Sequence, residues 1–136
     1  MMINISSYKG EYYKVHEIIF YQDNKGYSEL LEFIEMLNNK AATSKNERIM
    51  LKQIRFYVNI LENLGTRAGD PFVKHIQDEV WELRPGNNRI LFFAWYENKI
   101  VLLHHFRKTT NKTPKSEVEK ALNEINDWKG RNDKNG

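Results

Sequence analysis

Arg84, Arg89, His104 and Lys108 are the residues of this chain whose types and spacing suit them to work on a phosphate. Arginine offers a planar fork to two phosphate oxygens, and lysine a mobile point charge. Histidine exchanges a proton near neutrality. Cleaving RNA without a metal needs a base for the 2′-hydroxyl, cations for the charge building on the phosphorane, and an acid for the leaving oxygen. The same four residues could instead hold a phosphate with no reaction, and on residue chemistry alone the two readings stand level. Glu82 could serve as a base or as a salt-bridge partner that orients the arginines, and it is left outside the candidate set. His16 and His75 are lone strand histidines, read as satisfied structural side chains.

The stretch 80–114 has to position these groups. It holds three β-type runs, two tight turns and a basic tail that reaches Pro114. Pro85-Gly86-Asn87-Asn88 is a turn by composition and sets Arg84 across from Arg89. A two-residue turn is expected at Glu97-Asn98 or Asn98-Lys99. Period-two alternation then gives one plain core face of Trp81, Leu83, Ile90, Phe92, Ala94, Val101 and Leu103. The opposite face receives Glu82, Arg84, Arg89, Leu91, Phe93, Trp95, Ile100, Leu102, His104, Phe106 and, if the strand continues, Lys108. His104 is thereby expected among three cations that lower its pKa, and His105 on the core side. Arg107, Lys112 and Lys115 in the same basic stretch are read as RNA-binding.

Upstream, residues 12–21 are β-branched and aromatic and read as a strand. Ser28 caps a helix to about Asn38 with the apolar stripe Leu30, Phe33, Ile34 and Leu37. Ser44 and Glu47 form a capping box for a long helix ending at Gly65. Its expected inner face is Met50, Ile54, Tyr57, Val58, Leu61 and Leu64. Residues 65–71 form a loop and 72–76 a short strand. Thr113 and Pro114 suit the N-cap and first turn of a last helix, with Val118, Ala121, Leu122, Ile125 and Trp128 on one face. A central strand apolar on both sides needs cover on both sides. The fold class is therefore α+β: an antiparallel sheet with a two-helix hairpin on one face and a C-terminal helix on the other.

The 136 residues read as a single domain (1–136) with a frayed tail from about 130. With 40% hydrophobic and 29% charged residues the balance is that of an ordinary globular chain. There is no cysteine, which excludes a thiol nucleophile and a cysteine-held zinc. No metal site and no cofactor are expected. The start resembles no signal peptide and no apolar run could span a bilayer, so the expected compartment is the cytoplasm, with no membrane partner. Residues 84–116 contain seven Lys or Arg against the single acid Glu97, a footprint that attracts polyanions.

The V-W-E-L-R of 80–84, the N-R-I-L-F-F of 88–93 and above all the L-L-H-H-F-R-K-T-T-N-K-T-P of 102–114 resemble the HigB-type, phage-derived branch of the RelE toxin superfamily. The last segment is similar to that family's L-L-H-x-F-x-K-K-T-x-K-T-P signature. The resemblance implies a RelE-like fold and the toxin of a type II toxin–antitoxin system. It implies an endoribonuclease that cuts mRNA in the ribosomal A site by 2′-hydroxyl attack without metal, and a cognate antitoxin, a small helix-turn-helix protein. By position, Arg89 looks like the arginine that binds the scissile phosphate, while Lys108 and Lys112 match the first and last lysines of the signature. Thr109 departs from the usual lysine, and Val118 falls near the place of the superfamily's helix tyrosine. The alternative is a non-catalytic RNA- or protein-binding module of phage origin that uses the same basic patch.

Overall fold

The computed structural model describes residues 15–132. Strand β1 (Glu17–Phe20) leads into helices α1 (Glu29–Lys40) and α2 (Lys45–Leu64). Strands β2 (Val73–Gln77), β3 (Val80–Leu83), β4 (Asn88–Trp95) and β5 (Lys99–Arg107) follow, and helix α3 (Lys115–Asn132) closes the described chain. The sheet runs in the order β1-β5-β4-β3-β2. Neighbours are antiparallel except β1, which lies parallel to β5. The expected first strand is shorter than its β-rich sequence, and residues 12–14 of it lie outside the described residues.

Local sequence explains most of the boundaries. Ser28 caps α1, its side chain accepting from the Leu31 amide at 3.1 Å, and Glu29 and Glu32 complement the positive end of the helix. At Ser44 the expected partner is found but the bond differs: the hydroxyl donates to the Glu47 carboxylate, and no amide is capped by the side chain. Gly65 ends α2 at φ +59 and opens a 3₁₀ turn over 65–68. At α3 the Pro114 carbonyl accepts from the Val118 amide at 3.2 Å. Thr113, expected as the cap, turns its hydroxyl elsewhere.

Two apolar layers fill the two sides of the sheet. On one, Leu30, Ile34 and Leu37 of α1 and Leu51, Ile54, Val58 and Leu61 of α2 pack on Leu83, Ile90, Phe92, Ile100 and Leu102. On the other, Ala121 and Ile125 of α3 pack on Val80, Leu91, Phe93, Val101 and Leu103. Tyr21 ties α3 down through a 2.6 Å bond from its hydroxyl to Asp127. Burial, then that carboxylate, pushes the phenol up to about 12. Ala94 and Leu64, expected inside, are exposed.

The face assignment of β5 differs from the sequence reading in its first half. Trp95 pairs with Lys99, so the turn holds three residues, Tyr96 to Asn98, with Glu97 and Asn98 in left-handed conformation. That odd count puts Ile100 and Leu102 on the hairpin side and Val101 on the α3 side, the reverse of the expectation. A bulge then cancels the error. Phe92 pairs with Leu102 but Leu91 with His104, so Leu103 is an extra residue and faces α3 together with His104. From His104 onward the expected faces hold.

Two glycines make these placements testable. A Cβ on Gly65 would stand 2.6 Å from the His16 ring at a positive φ, whereas one on Gly130 of α3 would meet nothing within 4 Å. Gly65→Ala should destabilise the fold by about 1–2 kcal/mol, and Gly130→Ala should stabilise it by about 0.5–1 kcal/mol. Thermal unfolding should show opposite shifts in Tm. An unchanged Tm for Gly65→Ala would contradict the placement of that turn.

Candidate functional site

The site is built at the end of the sheet where β3 finishes, β4 starts and β5 runs out. Glu82 occupies an inward position of β3, opposite Leu91 on the α3 side, and is 3% exposed. A carboxylate taken from water needs partners, and three are supplied. Thr113 donates its hydroxyl to Oε2 at 2.7 Å. The Nε atoms of Arg84 and Arg89 stand 3.5 and 3.8 Å from Oε1. The turn at Gly86-Asn87 makes this possible, because continuing the Leu83–Ile90 register sets Arg84 against Arg89.

The two arginines are held from behind. Arg89 donates through Nη1 to the Gly86 and Asn88 carbonyls, both at 2.8 Å. Its Nη2 has no hydrogen bond among the described residues. Burial lowers the pKa of this guanidinium from its ordinary value; Glu82 opposes the shift and Arg84 adds to it. Arg84 is more open, its side chain 25% exposed, and both its terminal nitrogens are unpartnered among the described residues. Arg84 thereby keeps both terminal nitrogens for a ligand, and Arg89 keeps Nη2.

Past β5, the Lys108 amide donates to the Asn87 carbonyl at 2.7 Å. The segment then leads to Thr113, whose bond to Glu82 pins it against the end of β3. The side chains of Arg107, Lys108, Lys112 and Lys115 make no hydrogen bond or ion pair among the described residues. Arg107, Lys112 and Lys115 are exposed and Lys108 half-buried. Arg107 lies apart from the others, lining a cleft of about 360 Å³ with Asn88 and Gln53 on the hairpin side. The sheet end thus brings together Arg84 and Arg89 around Glu82, with the Lys108 backbone at the adjoining turn and Lys112 next to the Thr113 that bonds Glu82. No group of three or more His, Asp or Glu among the described residues is arranged to hold a metal ion.

His104 is placed differently. It is 1% exposed, and its neighbours are carboxylates of α3 instead of the three expected cations. Nδ1 lies 2.6 Å from Glu124 and Nε2 2.9 Å from Glu117. Each ring nitrogen is thus engaged by a carboxylate oxygen of α3 at hydrogen-bond distance. The reason is the docking of α3: His104 keeps the expected face, but Glu117 and Glu124 of that helix reach it, while Phe106 takes the position across from Arg89. His105 is on the hairpin side as expected, stacked on Phe33 with centroids 3.8 Å apart.

Glu82 lies outside the set expected from the sequence, and its signal there is a lone carboxylate at an inward strand position. Thr113 was read as a cap because no local pattern links it to a strand residue 31 positions earlier.

Residues 33–126 match the model of the family described as "Phage derived protein Gp49-like (DUF891)", which is more than half of the chain. A curated relative from Mycobacterium tuberculosis (strain H37Rv), named "Probable endoribonuclease HigB1", is 39% identical over 61 residues, 42% of this chain and 48% of the relative. The protein of the same name from strain CDC 1551 / Oshkosh matches identically. The chain spans about half the length of the curated relatives it matches.

The contrast between the two histidines gives a pH prediction. Burial lowers the pKa of His105 below the ordinary histidine value, opposed by Glu29. The unfolded chain takes up this proton as pH falls through about 6.5, whereas the folded chain does so only lower. Stability is therefore lost as pH falls from about 6.5 through the folded value. His105→Phe keeps the stack on Phe33 and removes that loss. The difference in denaturant midpoint between pH 7.5 and 5.5 should be smaller in the variant, and an equal difference would contradict the assignment.

Proposed function

Because this chain belongs to the phage-derived Gp49-like family, a family of RelE/HigB-type toxins, we propose that it is the toxin of a type II toxin–antitoxin pair. In this reading it is an endoribonuclease that cuts mRNA in the ribosomal A site by metal-independent 2′-hydroxyl attack. The observation that carries the reading is the buried Glu82 that holds Arg84 and Arg89 and, through Thr113, the end of the lysine-bearing segment. Preorganised cations of this kind stabilise charge that develops on a phosphorane. The mycobacterial relative, named a probable endoribonuclease, supports the reaction class.

Arg89 and Arg84 grip the non-bridging oxygens of the scissile phosphate. Lys108 supplies mobile charge on the leaving side, and Lys112 and Lys115 follow the RNA backbone. Arg107 serves the RNA beyond the turn. His104, enclosed by Glu117 and Glu124, acts as a positioning residue that holds α3 and the end of β5 together. Proton transfer then falls to groups of the ribosome, which accounts for dependence on it. The antitoxin, a helix-turn-helix protein in the cytoplasm, silences the toxin by presenting acidic residues or a helix to the cationic rim.

One observation favours the second reading, a non-catalytic binding module. The rim offers cations while both candidate bases, Glu82 and His104, are engaged in buried bonds. Arg89→Lys separates the two. It keeps a charge facing Glu82 and loses the fork. Wild-type protein induced without its partner should arrest growth and cut translated mRNA, as read by mapping RNA ends. Arg89→Lys should melt within a few degrees of wild type and cut about 100-fold more slowly or worse. Full cleavage by the variant would sink the assignment, and arrest with intact mRNA would favour the binding module.

A further inference from the structure

Beyond the arginines, a cleft of about 750 Å³ opens between strand β2 and the segment that leads into α3. That volume lies within the range of sites for small organic ligands, about 300–1,000 Å³. Its rim carries Lys74, Lys112 and Lys115, and no carboxylate lines it. Each of these amines is without a partner among the described residues. Ile76, Pro114 and Val118 give the cleft an apolar lining. Lys74 pairs with Glu82 across β2 and β3, so it stands on the same face one strand further out, about 4.8 Å in strand spacing. Thr113 belongs to both places: it lines the cleft and donates to the Glu82 that holds the arginines.

We propose that this cleft binds the nucleotide next to the scissile phosphate, with Lys74 and Lys112 on its phosphate and its base against Ile76 and Val118. The proposal rests on the RNA-cleaving reading above and extends the substrate path to β2. Unpaired amines around an apolar lining suit a group that is anionic at one end and flat and apolar at the other. A phosphodiester chain held by Arg84 and Arg89 enters the cleft directly past Thr113, and that continuity favours RNA over an acidic peptide.

The test is binding of a fluorescent single-stranded 2′-O-methyl RNA, which cannot be cut by 2′-hydroxyl attack, to the full chain across a salt series. Each phosphate contact in a single strand contributes about 0.7 to the slope of log K against log salt. Lys74→Ala should lower the slope by that amount and weaken binding about fivefold at 0.1 M salt. Lys74→Arg should restore binding, and Lys52→Ala on exposed α2 should bind as wild type does. If Lys74→Ala binds like wild type while Arg89→Ala loses affinity, the cleft assignment falls and the RNA-cleaving reading stands. If wild type binds a glutamate-rich peptide and no RNA, both fall.

Discussion

Burial of the Glu82 carboxylate is the constraint on which the rest of the site depends. Removing a charge from water costs several kcal/mol unless partners compensate, and Glu82 is enclosed at an otherwise apolar strand position. Its partners come from three places: Arg84 just past the same strand, Arg89 across the turn, and Thr113 from the segment before α3. Together they fix the β3–β4 turn, both guanidinium groups and the path of the lysine-bearing segment. A structural necessity of the fold thus sets the charges of the site in place before any ligand arrives, which is the condition under which such charges contribute most to a reaction.

Helix α3 is the second support. Its apolar face covers Leu91, Phe93 and Leu103, and its polar side reaches the sheet through His104 and Tyr21. The carboxylates that enclose His104 lie on the helix whose first turn follows the lysine-bearing segment. The position of that segment is therefore set at both ends, by Thr113 on Glu82 and by α3 on the sheet.

Much of this was legible in the sequence because it follows from local rules. The helical stripes of α1 and α3, the glycine stop of α2 and the Pro85–Asn88 turn are all found where residue types and periods put them. The juxtaposition of Arg84 and Arg89 needed only that turn. The faces of Val101 and Leu102 were inverted because a third turn residue shifts parity, and the bulge at Leu103 restored it for His104. Neither feature leaves a mark in residue types, since Tyr96, Glu97 and Leu103 are ordinary for their places. The partners of His104 were not legible either. They lie 13 and 20 residues further along on another element, and only the docking of α3 brings them in. Lys74 became visible for the same reason, through the pairing of β2 with β3.

Reaction by 2′-hydroxyl attack leaves its record in the fragments. The attacking oxygen belongs to the upstream nucleotide, so that fragment must end in a 2′,3′-cyclic phosphate and the downstream fragment must begin with a 5′-hydroxyl. Purified protein added to ribosomes translating an end-labelled mRNA, followed by chemical analysis of both new ends, measures this directly. Cyclic phosphate upstream and 5′-hydroxyl downstream are the predicted ends. A 3′-hydroxyl paired with a 5′-phosphate would show that water attacked the phosphate, and would contradict 2′-hydroxyl attack as the reaction that Arg84 and Arg89 support.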